Sequence, residues 1–265
     1  SDMATNCYGS ILSHYDDIPQ YSYDKWAKII NNYQEQALAA DNGIPMIYGN
    51  DSVHGVNFAS NCVIFPHNIN IGAANDIDLT YEMGVCVGSD IMHTQMIFNF
   101  SPCVAAAQDP RWGRTYESYS SEPSIITPLA VAYSEGLMAE GVVPCAKHFI
   151  CDGYALYGTG EYSGNTYRLI DRGDAQVSDE AIAENLAIYQ ALIDSGVPVI
   201  MISHSSLNGI KMHEYGDYIY LLKNEMGFDG FIISDWDSIE NCSGATLKDN
   251  VILSINSGID MLMEA

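Results

Sequence analysis

Gly227-Phe-Asp-Gly-Phe-Ile-Ile-Ser-Asp-Trp236 reads as a short buried strand that ends in a carboxylate. Phe231, Ile232 and Ile233 form an apolar run bounded by Gly230 and a polar pair, too short for a helix. Asp235 then falls where the strand leaves the core, beside the flat ring of Trp236, a pairing that suits a sugar ring in a cleft. The same position equally suits an Asp that caps the next turn. The rest of the chain has to decide between the two.

Working outward, apolar runs rich in Ile, Val and Phe recur at residues 8–12, 45–48, 69–73, 97–100, 142–145, 198–202, 230–233 and 259–262, which makes eight candidate strands. Helical patterns lie between most of them. Leu79, Met83, Val87 and Ile91 repeat every fourth residue after Asn75 and Asp76, and Ile182, Leu186, Tyr189 and Ile193 follow Ser178 at helical spacing. Strands alternating with helices imply parallel pairing through right-handed crossovers. No Gly-x-Gly-x-x-Gly follows a strand, so the pattern predicts an α/β fold of the (β/α)8 TIM-like barrel type, one domain over residues 1–265. Residues 49–68 lack a helical period, so the barrel is expected to be irregular around its second and third strands. The helix after the eighth run is expected to be missing.

Composition narrows the partners. Lys+Arg 10 against Asp+Glu 34 gives a net charge of −24, which repels nucleic acid, anionic lipid and phosphorylated substrates and leaves a neutral ligand as the expected partner. No stretch is long and apolar enough for a membrane span, and no basic-then-apolar leader opens the chain, which favours a cytoplasmic location. The seven cysteines are odd in number, widely spaced and mostly inside apolar runs, so they read as small buried hydrophobes.

In a barrel of this kind the reactive groups stand at the C-terminal ends of the strands. That rule selects Asp51 and His54, Arg111 and Arg114, Lys147 and His148, His204, and Asp235. Lys147-His148 has a plain alternative, a snorkelling lysine beside a satisfied core histidine. If functional, a cation there would hold a facing carboxylate such as Asp235 ionised. The stretch 109–114 has its own plain account, a turn with an Asp–Arg pair and an Arg stacked on Trp112. His54, His67, His148 and His204 with Asp51 lack the spacing of common zinc motifs, so neither a metal nor another cofactor is expected.

Six motifs now share one order: Tyr48-Gly-Asn-Asp-Ser-Val-His-Gly55; Phe65-Pro-His-Asn68; Asp109-Pro-Arg-Trp-Gly-Arg-Thr-Tyr-Glu-Ser-Tyr-Ser120; Ala146-Lys-His-Phe149; Met201-Ile-Ser-His-Ser-Ser-Leu-Asn-Gly209; and Gly230-Phe-Ile-Ile-Ser-Asp-Trp236. Together they resemble the N-terminal barrel of glycoside hydrolase family 3, most closely its β-glucosidase and exo-β-glucanase branch. The resemblance implies that Asp235 is the catalytic nucleophile and Trp236 an aromatic wall at the entrance. It also implies that Asp51, Arg114, Lys147 and His148 hold the hydroxyls of the terminal sugar. This chain departs from the family at His204, where an aromatic residue is usual. His204 and Arg172 are nevertheless expected among the substrate-binding residues, and the Tyr- and Gly-rich stretch 153–167 is expected as a lid, an aromatic platform or a surface excursion.

The expected function is therefore a retaining β-glucosidase-like hydrolase acting on a β-glucoside or oligosaccharide through a glycosyl-aspartate. In the family's two-domain members the acid/base glutamate lies on a second domain, so the resemblance implies that it comes from a second domain or partner chain outside these residues. If the acid lies within them, Glu117, Glu161 and Glu214 are the candidates. The β-N-acetylglucosaminidase branch uses a His after Lys-His-Phe, and none occurs between Phe149 and Met201. Two alternatives stay open, a sugar-binding barrel that does not turn over and an aldolase with Lys147 as Schiff base.

Overall fold

The computed structural model describes residues 5–12, 21–162, 165–167 and 171–264, with backbone alone between 161 and 170. Its centre is a curled parallel sheet of six strands, β1 (Ser10–Leu12), β2 (Ile47–Asn50), β3 (Phe98–Asn99), β4 (Val143–Phe149), β5 (Val199–Ile202) and β6 (Phe231–Ile233), paired in sequence order. Ile233 bridges onward to Met261 in parallel, so the run at 259–262 supplies a seventh stave. The curl brings the two ends of the sheet together. Leu12 of β1 packs in one cluster with Ile233, Met261 and Met263, and a cavity of about 90 Å³ is lined by β1 on one side and Met261 to Glu264 on the other.

The helices form where capping and periodicity expect them. Asp76 accepts the Leu79 N–H at the start of α3 (Ile77–Thr94), and Ser178 accepts the Ala181 N–H at the start of α5 (Asp179–Asp194). Met83, Val87 and Ile91 are fully covered on one face of α3, each such side chain contributing roughly 1.5–3 kcal/mol of transfer free energy. Leu79, one turn earlier in the same pattern, points to solvent. Helix α3 lies so close to α4 (Pro123–Ala139) that a Cβ on Gly84 would meet the Tyr133 carbonyl at 2.4 Å, and one on Gly136 the Tyr81 carbonyl at 2.4 Å. Helix α1 (Tyr23–Leu38) buries Trp26, Ile30 and Ala37 on the same side, and α6 (Leu247–Ser257) follows β6.

The run at 69–73, expected as a strand, is instead inside α2 (Asn68–Ala74). Asn75 takes the left-handed conformation that ends it, which Asn tolerates. A Cβ on Gly72 would stand 1.7 Å from the Tyr119 carbonyl oxygen, so this helix packs backbone to backbone on the segment after Arg114. With no strand from this region, β2 pairs directly with β3 through Gly49↔Phe98 and Asn50↔Asn99. The irregularity expected at the second and third strands is thus a helix and a loop in place of a stave. Residues 160–162 and 165–167 form an antiparallel pair within the Tyr-rich stretch; 163–164 and 168–170 lie outside the described residues. No helix among the described residues is long and apolar enough to cross a membrane. The seven cysteines are all free thiols.

Candidate active site

Strand β4 carries two of the site's side chains on consecutive residues. Lys147 pairs with Met201 and Phe149 with Ile202, so His148 is an extra residue in the ladder. Neighbouring strand residues normally point to opposite faces, and a bulge re-aims one of them. Lys147 Nζ lies 2.8 Å from Asp51 Oδ1, and His148 Nε2 lies 3.5 Å from Asp235 Oδ2. Both side chains are 3–4% exposed. The peptide bonds Lys147–His148 and Phe149–Ile150 are cis.

Asp235 follows β6 and is itself buried. Its Oδ1 accepts the Trp236 N–H at 2.7 Å. Its Oδ2 makes no aligned hydrogen bond among the described residues, yet His204 Nε2 stands 3.1 Å away. His204 arrives from the turn after β5, and its Nδ1 is hydrogen-bonded to Ser238 Oγ. Burial by itself would raise the Asp235 carboxyl, but His204, His148 and Arg114 outweigh it and hold the group well below the usual carboxylate range. The carboxylate is therefore ionised, with Oδ2 facing the two imidazoles.

The remaining groups are placed by their own partners. Asp51 is exposed, but the backbone beside it is anchored. Ser52 N–H donates to Asn99 Oδ1 at 2.9 Å, Asn99 Nδ2 donates to Ser52 O at 3.1 Å, and Tyr133 Oη donates to the same carbonyl at 3.2 Å. Arg114 meets Glu117 through two bonds of 2.9 Å. Burial pulls the Arg114 guanidinium down and the Glu117 carboxyl up, but each overcomes it through the other, so both stay charged. Lys147 behaves alike: burial lowers it, Asp51 and Glu117 raise it, and the net shift is upward. Arg172 Nη2 donates to the Trp236 carbonyl at 3.4 Å, which ties the segment before α5 to the loop carrying Asp235. Trp236 is half-buried and packs on the barrel interior beside the small cavity.

Asp51, Arg114, Lys147, His148, Arg172, His204, Asp235 and Trp236 are therefore drawn together at the strand ends. Several details differ from expectation. Arg111 pairs with Asp109 as expected but stacks over Tyr157, 4.3 Å from its ring centroid, while Trp112 is buried. Glu117 was a candidate acid; its ionised state and its bond to Arg114 suit it to orienting Arg114 instead. Glu214 Oε2 accepts the Ser243 N–H and Oγ–H. The Glu161 side chain lies outside the described residues. His54 and His67 stack on each other with centroids 3.9 Å apart, and among the described residues no group of three or more His, Cys, Asp or Glu is arranged to hold a metal.

Two residues with no role assigned from the sequence belong to the site. Asp152 Oδ2 sits 2.8 Å from His148 Nδ1. Burial pushes the Asp152 carboxyl up to about 7 and the His148 imidazole down. His213 Nε2 accepts the Asp235 N–H at 3.0 Å. The spacing His148-x-x-x-Asp152 was a readable signal; His213, in the stretch between two motifs, carried none.

Residues 3–265 match the family described as the glycosyl hydrolase family 3 N terminal domain. The chain is 26% identical over 267 residues to the lysosomal beta glucosidase of Dictyostelium discoideum, covering 93% of this chain and 31% of that protein. It superposes on a Q683A mutant of exo-1,3/1,4-beta-glucanase from a Pseudoalteromonas species with a TM-score of 0.87 and 30% identity, covering 99% of this chain and 43% of that one. A beta-glucosidase from Listeria innocua in complex with glucose shares the fold at a TM-score of 0.83 and 24% identity, covering 100% of this chain and 35% of that one. The 265 residues thus span less than half of each of these relatives.

Proposed function

The chain belongs to glycosyl hydrolase family 3, and from that premise we propose that it forms the nucleophile-bearing barrel of a retaining β-glucosidase-like enzyme. Its substrate is a β-glucoside or oligosaccharide with a terminal β-D-glucosyl residue. The observation that carries this reading is the state of Asp235, a buried carboxylate held ionised, whose Oδ1 accepts the Trp236 N–H while Oδ2 faces His204 Nε2 at 3.1 Å and His148 Nε2 at 3.5 Å. In the first step Oδ2 attacks the anomeric carbon, the glycosidic C–O bond breaks, and the leaving oxygen takes a proton from a carboxylic acid. In the second step water, deprotonated by the same group, displaces Asp235 and restores it.

Asp51, Arg114, Lys147 and His148 surround the place where the sugar would sit. Asp51 accepts from hydroxyls, while Lys147 and Arg114 donate to them. Such contacts act on rate as well as on binding when they tighten toward the oxocarbenium-like transition state. The acid is proposed to come from sequence outside these 265 residues, because Glu117 is ionised against Arg114 and Asp152 is buried behind His148. An aldolase reading fits poorly. A Schiff-base lysine needs a depressed pKa, and Asp51 raises that of Lys147.

Incubation of the full-length protein with 2,4-dinitrophenyl 2-deoxy-2-fluoro-β-D-glucoside, followed by peptide mass spectrometry, tests the proposal. The expected product is a fluoroglucosyl adduct on the peptide containing Asp235. A protein that binds glucose and never acquires the adduct would be a sugar-binding barrel.

A further inference from the structure

The backbone around Asp235 finds its hydrogen-bond acceptors in three different ways. Ser234 N–H donates to Met261 O at 2.9 Å on the seventh stave, and Asp237 N–H to Met263 O at 3.1 Å just beyond it. Trp236 N–H donates to the Asp235 carboxylate itself. Asp235 N–H turns to the other side, where β5 has already ended at Ile202, and its acceptor is His213 Nε2 at 3.0 Å. His213 is 2% exposed and comes from the single turn Met212–Glu214, which leads into a short helix, Gly216–Tyr220.

An acceptor on Nε2 fixes the tautomer, because the ring proton must then sit on Nδ1. An imidazolium would set one N–H against another. The charged and titratable groups facing His213 are His204, Asp235, Lys211 and Arg172. Burial, together with His204, Lys211 and Arg172, pushes His213 down to about 3, with Asp235 opposing, so the accepting form persists through the neutral range.

We propose that His213 is a positioning residue for Asp235: by accepting the Asp235 N–H it fixes the backbone from which the nucleophile projects and keeps Oδ2 in line for attack. The inference rests on Asp235 being the nucleophile. Two anchors then define the side chain, His213 on its backbone nitrogen and the Trp236 N–H on Oδ1, and the reacting oxygen is the one atom left free of them. A histidine that served packing alone would be replaceable by an apolar side chain of similar size.

The test uses the full-length protein and three variants, His213→Leu, His213→Gln and His213→Asn. The Gln carbonyl can reach the place of Nε2 and accept the N–H; the shorter Asn carbonyl falls at the place of Nδ1, and Leu accepts nothing. His213→Leu is expected to lower kcat and the rate of fluoroglucosyl labelling about 10²-fold, the scale of a misplacement of about 1 Å, with KM little changed. His213→Gln is expected to recover most of both rates. If His213→Leu does not fold, His213→Gln faster than His213→Asn supports the proposal in the same way. Leu, Gln and Asn proteins that label as fast as wild type, or Gln and Asn proteins that are equally slow, would overturn it. The site of labelling separates the two levels. Wild-type labelling at a residue other than Asp235 removes the nucleophile reading and this inference with it, whereas labelling at Asp235 at an undiminished rate in His213→Leu removes this inference alone.

Discussion

At the ends of β4, β5 and β6 the side chains of His148, His204 and Asp235 are 3%, 8% and 10% exposed and pack on one another, whereas at the end of β2 the Asp51 side chain keeps 59% of its surface in solvent. The two walls face the same place and are built on different principles. In the buried wall each charge has been taken out of water and must be matched at short range, because Coulomb interactions there are weakly screened. That is where the perturbed groups gather: Asp235 held down, His148 pushed down and Asp152 pushed up. In the open wall Asp51 keeps its own contact with water while it meets Lys147 at 2.8 Å, so only the lysine's half of that bridge has been taken out of solvent. Lys147, nearly fully covered, belongs to both.

The sharpest way to break the contrast is inside the covered part. Glu117→Gln leaves Arg114 with an unmatched charge in a mostly buried setting, and removing one partner of such a pair typically costs about 3–5 kcal/mol. We expect a loss of that size in chemical denaturation, accompanied by a fall in kcat/KM. A stability change within about 0.5 kcal/mol, the scale of an ordinary surface substitution, would mean that Arg114 is solvated after all.

Asp51→Asn probes the other wall and should separate activity from stability. Hydroxyl contacts that tighten in the transition state are worth several kcal/mol in total, so kcat/KM is expected to fall about 10²-fold, with kcat sharing in the loss. The Asn carbonyl can still accept from Lys147 Nζ and Glu117 still acts on that buried charge, so the melting temperature should move by no more than about 2–4 °C, the shift that about 1 kcal/mol produces in a chain of this size. A large drop in melting temperature with kcat/KM intact would reverse the assignment of the two walls.

The smallest expected change is the pH dependence between about pH 5 and 8 of the Asp235 contribution to stability. The folded pKa of Asp235 lies below the unfolded value of 3.8, so the folded state holds this proton less tightly than the unfolded chain does. The carboxylate therefore contributes stability above the unfolded pKa, and the contribution is lost as pH falls through the folded pKa. The stability difference between wild type and Asp235→Asn should be constant from about pH 5 to 8 and change below about pH 4, near the ordinary value for an Asp. Urea midpoints across that range give the answer. A difference that varies between about pH 5 and 8, and still varies with His204→Gln in both proteins, would show a raised carboxyl.

Much of the architecture could be read from local pattern. The apolar runs that became β1 to β6 and the seventh stave were visible, as were the caps at Asp76 and Ser178, because strands and helices announce themselves within a few residues. The run at 69–73 failed for the same reason that the others succeeded. Ile-Asn-Ile-Gly-Ala alternates like a strand, and what made it a helix was the close approach to Tyr119 and the turn at Asn75, the first of which lies far along the chain.

The sequence by itself determined that Asp235, Lys147, His148, His204 and Asp51 stand at strand ends, because a parallel strand that leaves a buried core must deliver its next polar residue there. With ten cations against thirty-four carboxylates, it also marked a Lys or Arg at a strand end as a residue that needs a reason. Only the tertiary structure decided the partners. Asp51 and Lys147 are 96 residues apart, His204 and Ser238 34, and His213 and Asp235 22, and no local rule selects among the carboxylates available to a cation. It likewise decided that Lys147 and His148 both reach the site, since a bulge depends on how β4 registers against β5, and that register is set by packing across the sheet, which no period along a single strand records.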